Sequence, residues 1–585
     1  MAKIIEKIID NFSGGMTNDP RKKDDRFCRI VKHFDIQSNK GRLVPYSNVA
    51  AEAAANTEKL CQFVSANSKQ YALGVVSATS RAKIFERATL PSGAWAASTT
   101  GEDATGTTRI ETMFIEYKDV LYGASYINST TTQIWSYAYL TSTFTDAAQD
   151  LGSFADLSAS NTGVSALVHS KDDILYIAYD NRVIKNNAGS WSSGIILPTN
   201  QVITSICEYG NYLAVGCKSK YSGGKSIAYL WDRDSSVATL SEKIDFGTGR
   251  LQILEELDGE LIAVLVTTST AATLAPKIVF KYRFGNGAKQ FAEIPSTNVP
   301  ATSVGTTKQK VNNRLLFQAG IQISGIQQNG IFSIGRNEDT GILGVSIGWV
   351  LSTAISDTAF FVPKGFQLLD DYMTVTYDNS GYVTQLTDGS TYSSPSVYES
   401  LIQNFGDSDK TKKLIGATVM FEPLPADGQV ILKYKINEEA AGTWYRIFKY
   451  TTDSAISHAA NRIEIGSDTV TMTIASPAVV TLNSHDLVAG QTIVFRTTGA
   501  LPTGVTAGTV YYVLSTDLAT NTFKFSATSG GSAVNTSGSQ SGTHTLERDA
   551  NLREFKEAQF RVESTGGAVI TGLKLKVEEI DKSPI

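Results

Sequence analysis

A unit of about 50 residues recurs along the first two-thirds of the chain, and it limits the fold more than any other feature. Each copy opens with a polar turn, runs into a short apolar strand and continues into a second strand that ends polar. The copies begin at Ser68, Lys118, Asp172, Gly210, Asp258, Asn312 and Asp370. An apolar anchor follows each opening, at Leu73, Leu121, Leu175, Leu213, Leu261, Leu315 and Met373. The second strand returns at Ala82–Phe85, Ile134–Tyr137, Arg182–Lys185, Ile227–Trp231, Ile278–Tyr282, Gly330–Ile334 and Tyr382–Leu386. A radial array of such units buries both faces of every sheet except at the rims. The pattern predicts an all-β chain with a β-propeller of about seven blades over residues 43–395, and six or eight blades also fit it. A set of unrelated hairpins is the competing reading. The copies carry no Gly-His…Trp-Asp signature and no Ser-x-Asp-x-Gly-x-x-Trp box, so the pattern names no propeller family.

At 585 residues the chain exceeds what one core usually supports. Charged residues make up 19%, below the usual quarter, and the net charge is −5, which offers no general nucleic-acid-binding surface. No run is long and apolar enough to span a membrane as a helix, and the N-terminus does not read as a signal peptide. The four cysteines, Cys28, Cys61, Cys207 and Cys217, have no metal-type spacing and read as buried thiols, although Cys207 and Cys217 are placed to face each other across a hairpin.

Outside the repeat, residues 1–42 read as an arm or docking segment. Ile4, Ile5, Ile8, Ile9 and Phe12 share one helical face, which predicts a short helix over 3–12 or an arm reaching a neighbour. Arg21–Arg26 alternates in sign and reads as a solvated turn. Residues 396–412 read as a linker because of the polar run Gly406–Lys413. Beyond it, Val430, Leu432, Tyr434 and Ile436 alternate as one side of a β-sandwich does. That sandwich is expected over 413–466 and 549–585. Between its halves the composition changes: from Val470 to Thr545 the charged residues are Asp486, Arg496, Asp517 and Lys524, which predicts an inserted small β-domain over 467–548.

Two stretches resemble known proteins. The opening, with Phe12, Gly14, Gly15, Met16, Thr17 and Pro20, then Phe34, Asp35, Gly41 and Tyr46, is similar to the start of tail proteins of tailed bacteriophages. The insert, from His485 through Gly490, Phe495, Gly504, Tyr511, Tyr512, Phe523 and Phe525, resembles a small β-module of phage tail and fibre proteins. Tail nozzle proteins of such phages carry propellers and form a ring around the DNA exit channel. The resemblance therefore implies a virion structural protein of the tail, assembled in the host bacterial cytoplasm. Its partners would be copies of itself, with a hexamer favoured, other tail or adaptor proteins, and genomic DNA in passage during ejection. The alternative is a receptor-binding or glycan-processing tail protein that touches the host surface.

The chain offers little chemistry of its own, and a non-enzymatic protein without cofactor or metal is expected. The five histidines, His33, His169, His458, His485 and His544, fall outside metal-motif spacing. Asp378–Gly381 and Asn337–Gly341 have the composition of calcium loops but lack their length and final acid, and read as turns. A propeller axis gathers distant acids, so Asp172 with Asp173, and Asp370 with Asp371, are the candidates for paired-carboxylate chemistry, read against tight turns. Trp135, Trp231 and Trp444 are the candidate sugar platforms, read against core packing. His485 reads as a turn cap.

Overall fold

The computed structural model describes residues 3–17, 24–37, 41–46, 49–51, 59–76, 81–87, 95–97, 109–127, 131–153, 164–221, 223–234, 240–267, 277–295, 303–323, 326–337, 340–350, 363–369, 372–377, 384–386, 392, 395–436, 444–451, 457–460, 468–485, 487–548 and 554–580. These residues form an all-β chain of several sheets. Seven four-stranded antiparallel units follow one another. Their first strands are Lys59–Ala66, Arg109–Tyr117, Ser165–His169, Gln201–Tyr209, Arg250–Leu257, Ser303–Val311 and Pro363–Leu369. Each of these strands packs on the next, and the first strand of unit seven packs on that of unit one, so the seven form a closed cycle.

The repeat read from the sequence marks the hairpin between the first and second strand of each unit. Positive φ occurs at both loop residues of four such hairpins: Asn67–Ser68, Lys118–Asp119, Asp258–Gly259 and Asn312–Asn313. Such two-residue turns match the right-handed strand twist, which is why Asn, Asp and Gly recur there. The seven anchors that follow are all 0% exposed. Unit seven takes its fourth strand from the other end of the chain: Val49–Ala51 pairs with Thr384–Leu386.

The N-terminus departs from the helical reading. Lys3–Ile9 is a strand, paired antiparallel with Ile570–Ile580 from Lys3↔Glu579 to Ile9↔Leu573. Its β-branched isoleucines suit a pleated surface, and the alternation sends Ile5 and Ile9 toward the core while Ile4 and Ile8 stay exposed. Residues 396–412 also depart from the linker reading. Ser396–Ser400 is a fully buried strand between Phe27–Lys32 and Ala558–Thr565, and only residues 401–410 connect it to the strand Thr411–Phe421. Through this strand the sheet of unit six continues into the C-terminal strands as one ten-stranded sheet.

A second sheet, ordered Lys3–Ile9, Ile570–Ile580, Thr411–Phe421 and Ser457–Ala460, shares the largest apolar core with that ten-stranded sheet. Leu414, Val419, Leu573 and Val577 from one sheet join Leu432, Tyr434, Phe560 and Val562 from the other. Strands from Asp468 to Arg548 pair only among themselves within the described residues. Their seven-stranded sheet begins with Thr522–Phe523 and ends with Phe525–Ser526, neighbours in sequence, so it is nearly closed into a barrel. Phe495, Phe525 and Tyr511 pack ring on ring inside it, at centroid separations of 4.9 to 5.9 Å.

Candidate functional site

The first strands of units one, two, three, six and seven line a cavity of about 250 Å³, among others through Gln62, Phe63, Phe114, Ser165, Lys308 and Gln367. Six of these strands break register with their neighbour, at Leu60/Gln62, Ile110/Phe114, Ile203/Ser205, Leu251/Ile253, Val304/Lys308 and Pro363/Gly365. Such bulges bend a strand and re-aim its side chains. Here polar side chains of the first strands tie units together, neighbouring and opposite ones alike. Ser165 Oγ accepts from the Ile206 N–H at 3.3 Å, and Ser205 Oγ bonds both the N–H and the C=O of Leu254, at 3.1 and 3.2 Å. Lys308 Nζ donates to the carbonyls of Ile206, at 2.8 Å, and Leu254, and pairs with Glu255 at 2.8 Å. Gln62 bonds Thr307 at 3.0 Å, and Gln309 holds both backbone groups of Leu368 at 2.7 Å. One ammonium and one carboxylate neutralise each other there and these amides and hydroxyls are bonded across strands, while the Thr306 hydroxyl is buried with no partner among the described residues. Such a lining suits water or a small neutral polar molecule, and the volume lies below the roughly 300–1,000 Å³ usual for ligand pockets.

The acids singled out in the sequence behave differently. Asp172 Oδ2 accepts from Tyr176 Oη at 2.8 Å and from Arg233 Nε at 2.7 Å. Burial alone would raise its carboxyl, but the hydrogen bonds from Tyr176 and Arg233 outweigh burial and hold it below the usual carboxylate range. Asp173 is exposed and pairs with Lys118 at 3.2 Å. The two neighbouring carboxylates are thus held by different cations and do not share a site. His169 is fully buried beside this group, with Nε2 3.0 Å from Arg233 Nη1; arginine only donates, so Nε2 accepts. Burial, followed by the Arg233 charge, lowers its pKa. Asp370, Asp371, Asp378–Gly381, and Glu338 and Asp339 of the second loop lie outside the described residues. Asn337 closes a turn through Gly341 N–H to its carbonyl at 2.8 Å.

The tryptophans are packed, not displayed. Trp135 is 2% exposed and stacks on Phe144 at 5.6 Å, and Trp231 is 0% exposed against Tyr176 at 5.8 Å. Trp444 lies under Lys435 and Arg561, at 5.0 and 5.7 Å from its ring. His485 Nδ1 accepts from the Leu487 N–H at 3.0 Å, with its ring on Phe523, so it caps a turn. Cys207 and Cys217 stand opposite Ala214 and Ile203, in different cores, and are free thiols. Among the described residues no group of three or more His, Cys, Asp or Glu is placed to hold a metal ion. The axial residues, chiefly Lys308, Gln62, Gln309 and Gln367, went unread because the repeat marks the second strand of each unit. Polar residues interrupting the preceding apolar strand are their signal.

No family model matches the chain. No curated protein matches it either. Solved structures match part of it distantly. A polysaccharide lyase, an ulvan lyase, aligns with 58% of this chain and 95% of its own at 9% identity, with a TM-score of 0.38. A chain of the mitotic checkpoint complex aligns with 59% of this chain and 94% of its own at 10% identity, with a TM-score of 0.37. An α-L-arabinofuranosidase from Clostridium thermocellum aligns with 42% of this chain and 96% of its own at 13% identity, with a TM-score of 0.23. Scores this low establish neither a shared fold nor a shared activity.

Proposed function

We propose that the chain is a structural subunit of a bacteriophage tail, a nozzle-like component whose copies form a ring around the DNA exit path. In this reading the closed cycle of seven units is a seven-bladed β-propeller, and the two C-terminal sheets are a sandwich carrying the small insert. The observation that carries the reading is where the tail-like N-terminal motif lies. Phe12 is 1% exposed and meets Tyr398 edge-on at 4.8 Å, and Gly15–Met16 pairs in parallel with Phe27–Cys28. Gly15 has φ +69°, and a Cβ there would stand 2.4 Å from the backbone nitrogen of Val345 in unit six. The motif therefore wedges the cycle of units against the C-terminal sheets, a mechanical role that suits a rigid tail part.

The axial cavity has room for on the order of eight waters, so a duplex would pass between copies and not through the cycle of units. The glycan-processing alternative needs a free acid; of its candidates Asp172 is tied to Arg233 and Tyr176, and Asp370 and Asp371 lie outside the described residues. Light scattering of the purified full chain, with negative-stain images of the same sample, tests the proposal. A closed five- or six-fold ring with a central hole is the expected result. Trimers of elongated subunits would overturn it in favour of receptor binding, as would release of reducing sugar from host-envelope polysaccharide that Asp172→Ala or Asp370→Ala abolishes.

A further inference from the structure

The N-terminal strand Lys3–Ile9 forms one end of its sheet, and its side chains do not suit a free edge. Ile4 and Ile8 are 56% and 50% exposed on the outer face. The residues directly opposite them on the neighbouring strand are Glu578 and Lys574, and between them Glu6 faces Lys576 and pairs with Lys574 at 2.9 Å. The outer-face positions beside them, Glu6, Lys574, Lys576 and Glu578, are all charged, so the two isoleucines stand out. The inner face is already used: Ile5 and Ile9 pack in the core and Lys7 pairs with Asp25 at 2.5 Å. An exposed edge strand with apolar side chains is a template for pairing with another chain.

Charge decides which strand fits. Two copies of Lys3–Ile9 pairing antiparallel about a two-fold axis would set Glu6 against Glu6, Lys7 against Lys7 or Lys3 against Lys7, according to register. Like charges directly opposite destabilise a strand pair. The other end of the same sheet is Ser457–Ala460, which among the described residues pairs only with Ala417–Met420. This strand carries Ser457, His458, Ala459 and Ala460, with no acid, lysine or arginine to oppose the charges of Lys3–Ile9. We infer that Lys3–Ile9 of one copy adds to the edge at Ser457–Ala460 of the next, continuing the sheet from subunit to subunit. Such a contact is heterologous, each copy giving one edge and receiving one, and heterologous contacts generate rings when the rotation closes. The inference rests on the ring reading and names the surface that builds it.

Two variants of the full chain test it by light scattering and negative stain alongside the unaltered protein. Ile4→Lys with Ile8→Lys should weaken association by about 30-fold or more, the scale set by two half-buried isoleucines, with the melting temperature nearly unchanged because both side chains face solvent. In the second test, Ile4→Cys and Ala459→Cys chains are mixed under mild oxidation. A crosslink between the two variants, with none in either alone, is expected. A ring that persists in the double lysine variant overturns the inference and leaves the ring reading standing. A crosslink in Ile4→Cys alone overturns it in favour of a two-fold contact. An unaltered chain that stays monomeric overturns both.

Discussion

Two seams of the closed cycle are built in opposite ways. Between units four and five the contact is mainly apolar: beside the Ser205–Leu254 hydrogen bonds, Ala214, Leu230 and Phe246 meet Leu251, Leu254 and Leu261 in one buried cluster. Where unit seven meets unit one the contact is polar. Arg87, 2% exposed and lying over Trp95 at 4.6 Å, donates to Gln70 at 2.8 Å and to Thr374 of unit seven at 2.9 Å. Gln70 and Ser65 reach Gln367 at 2.8 and 3.2 Å. Apolar contact is non-directional and tolerates small shifts. Hydrogen-bonded closure accepts one register only and leaves costly orphaned groups if it slips. The seam between sequence neighbours thus needs area, whereas the seam between chain ends needs specificity.

The largest expected effect falls on the apolar seam. Leu254→Ala should cost about 3 kcal/mol through lost burial and a cavity, lowering the melting temperature of the whole protein. Arg87→Ala should cost about 2 kcal/mol, because it removes two buried charge-assisted hydrogen bonds, to Gln70 and Thr374. Its loss should be local: faster hydrogen exchange in 59–76 and 363–377, with units four and five still protected. Equal loss of protection around the cycle would erase the contrast between the seams.

Acid sharpens the comparison at a third junction. His33 lies at φ 59°, where its N–H donates to Ile347 of unit six and its carbonyl accepts from Tyr46, both at 2.8 Å. Burial, with a smaller push from Lys32, lowers its imidazole to about 3. The unfolded chain binds that proton near the ordinary histidine value, so stability is full above about pH 6.5 and falls toward pH 3, by at most about 1.4 kcal/mol per pH unit. Denaturant midpoints measured across this window should lose that component in His33→Gln. The smallest effect concerns the insert. Asp468 Oδ2 accepts from Arg446 at 2.6 Å and Arg548 at 2.9 Å, so one carboxylate clasps both chain crossings. Asp468→Asn should cost about 1 kcal/mol, since the carboxylate is partly exposed, and loosen the insert without opening the cycle. Proteolysis between 460 and 470 is the readout.

Much of the repeat was legible because its signals are local. Asn312–Asn313 and Asp258–Gly259 turn the chain by their own backbone preferences, and Leu315 and Leu261 follow at a fixed offset. The N-terminal strand was misread for a definite reason. Ile4, Ile5, Ile8 and Ile9 share one face of a helix, yet the same residues divide between the two faces of a strand, and nothing nearby in sequence chooses between them. The choice is made by Ile570–Ile580, whose edge supplies the hydrogen bonds. The candidate site was missed for a related reason: Ser205, Lys308 and Gln62 are unremarkable polar residues until bulges in three distant strands aim them at one axis.

By itself the sequence determined where the hairpins turn, which residues anchor each unit and where the composition of the insert begins. Those features depend on backbone preference and hydrophobic alternation among neighbouring residues. Only the tertiary structure decided that Val49–Ala51 completes unit seven, that Ser396–Ser400 joins the cycle to the C-terminal sheets, and that Asp172 is bound by Arg233. Strand edges meet through backbone hydrogen bonds that are the same for nearly every residue type, so which edges pair across hundreds of residues leaves little trace in the side chains.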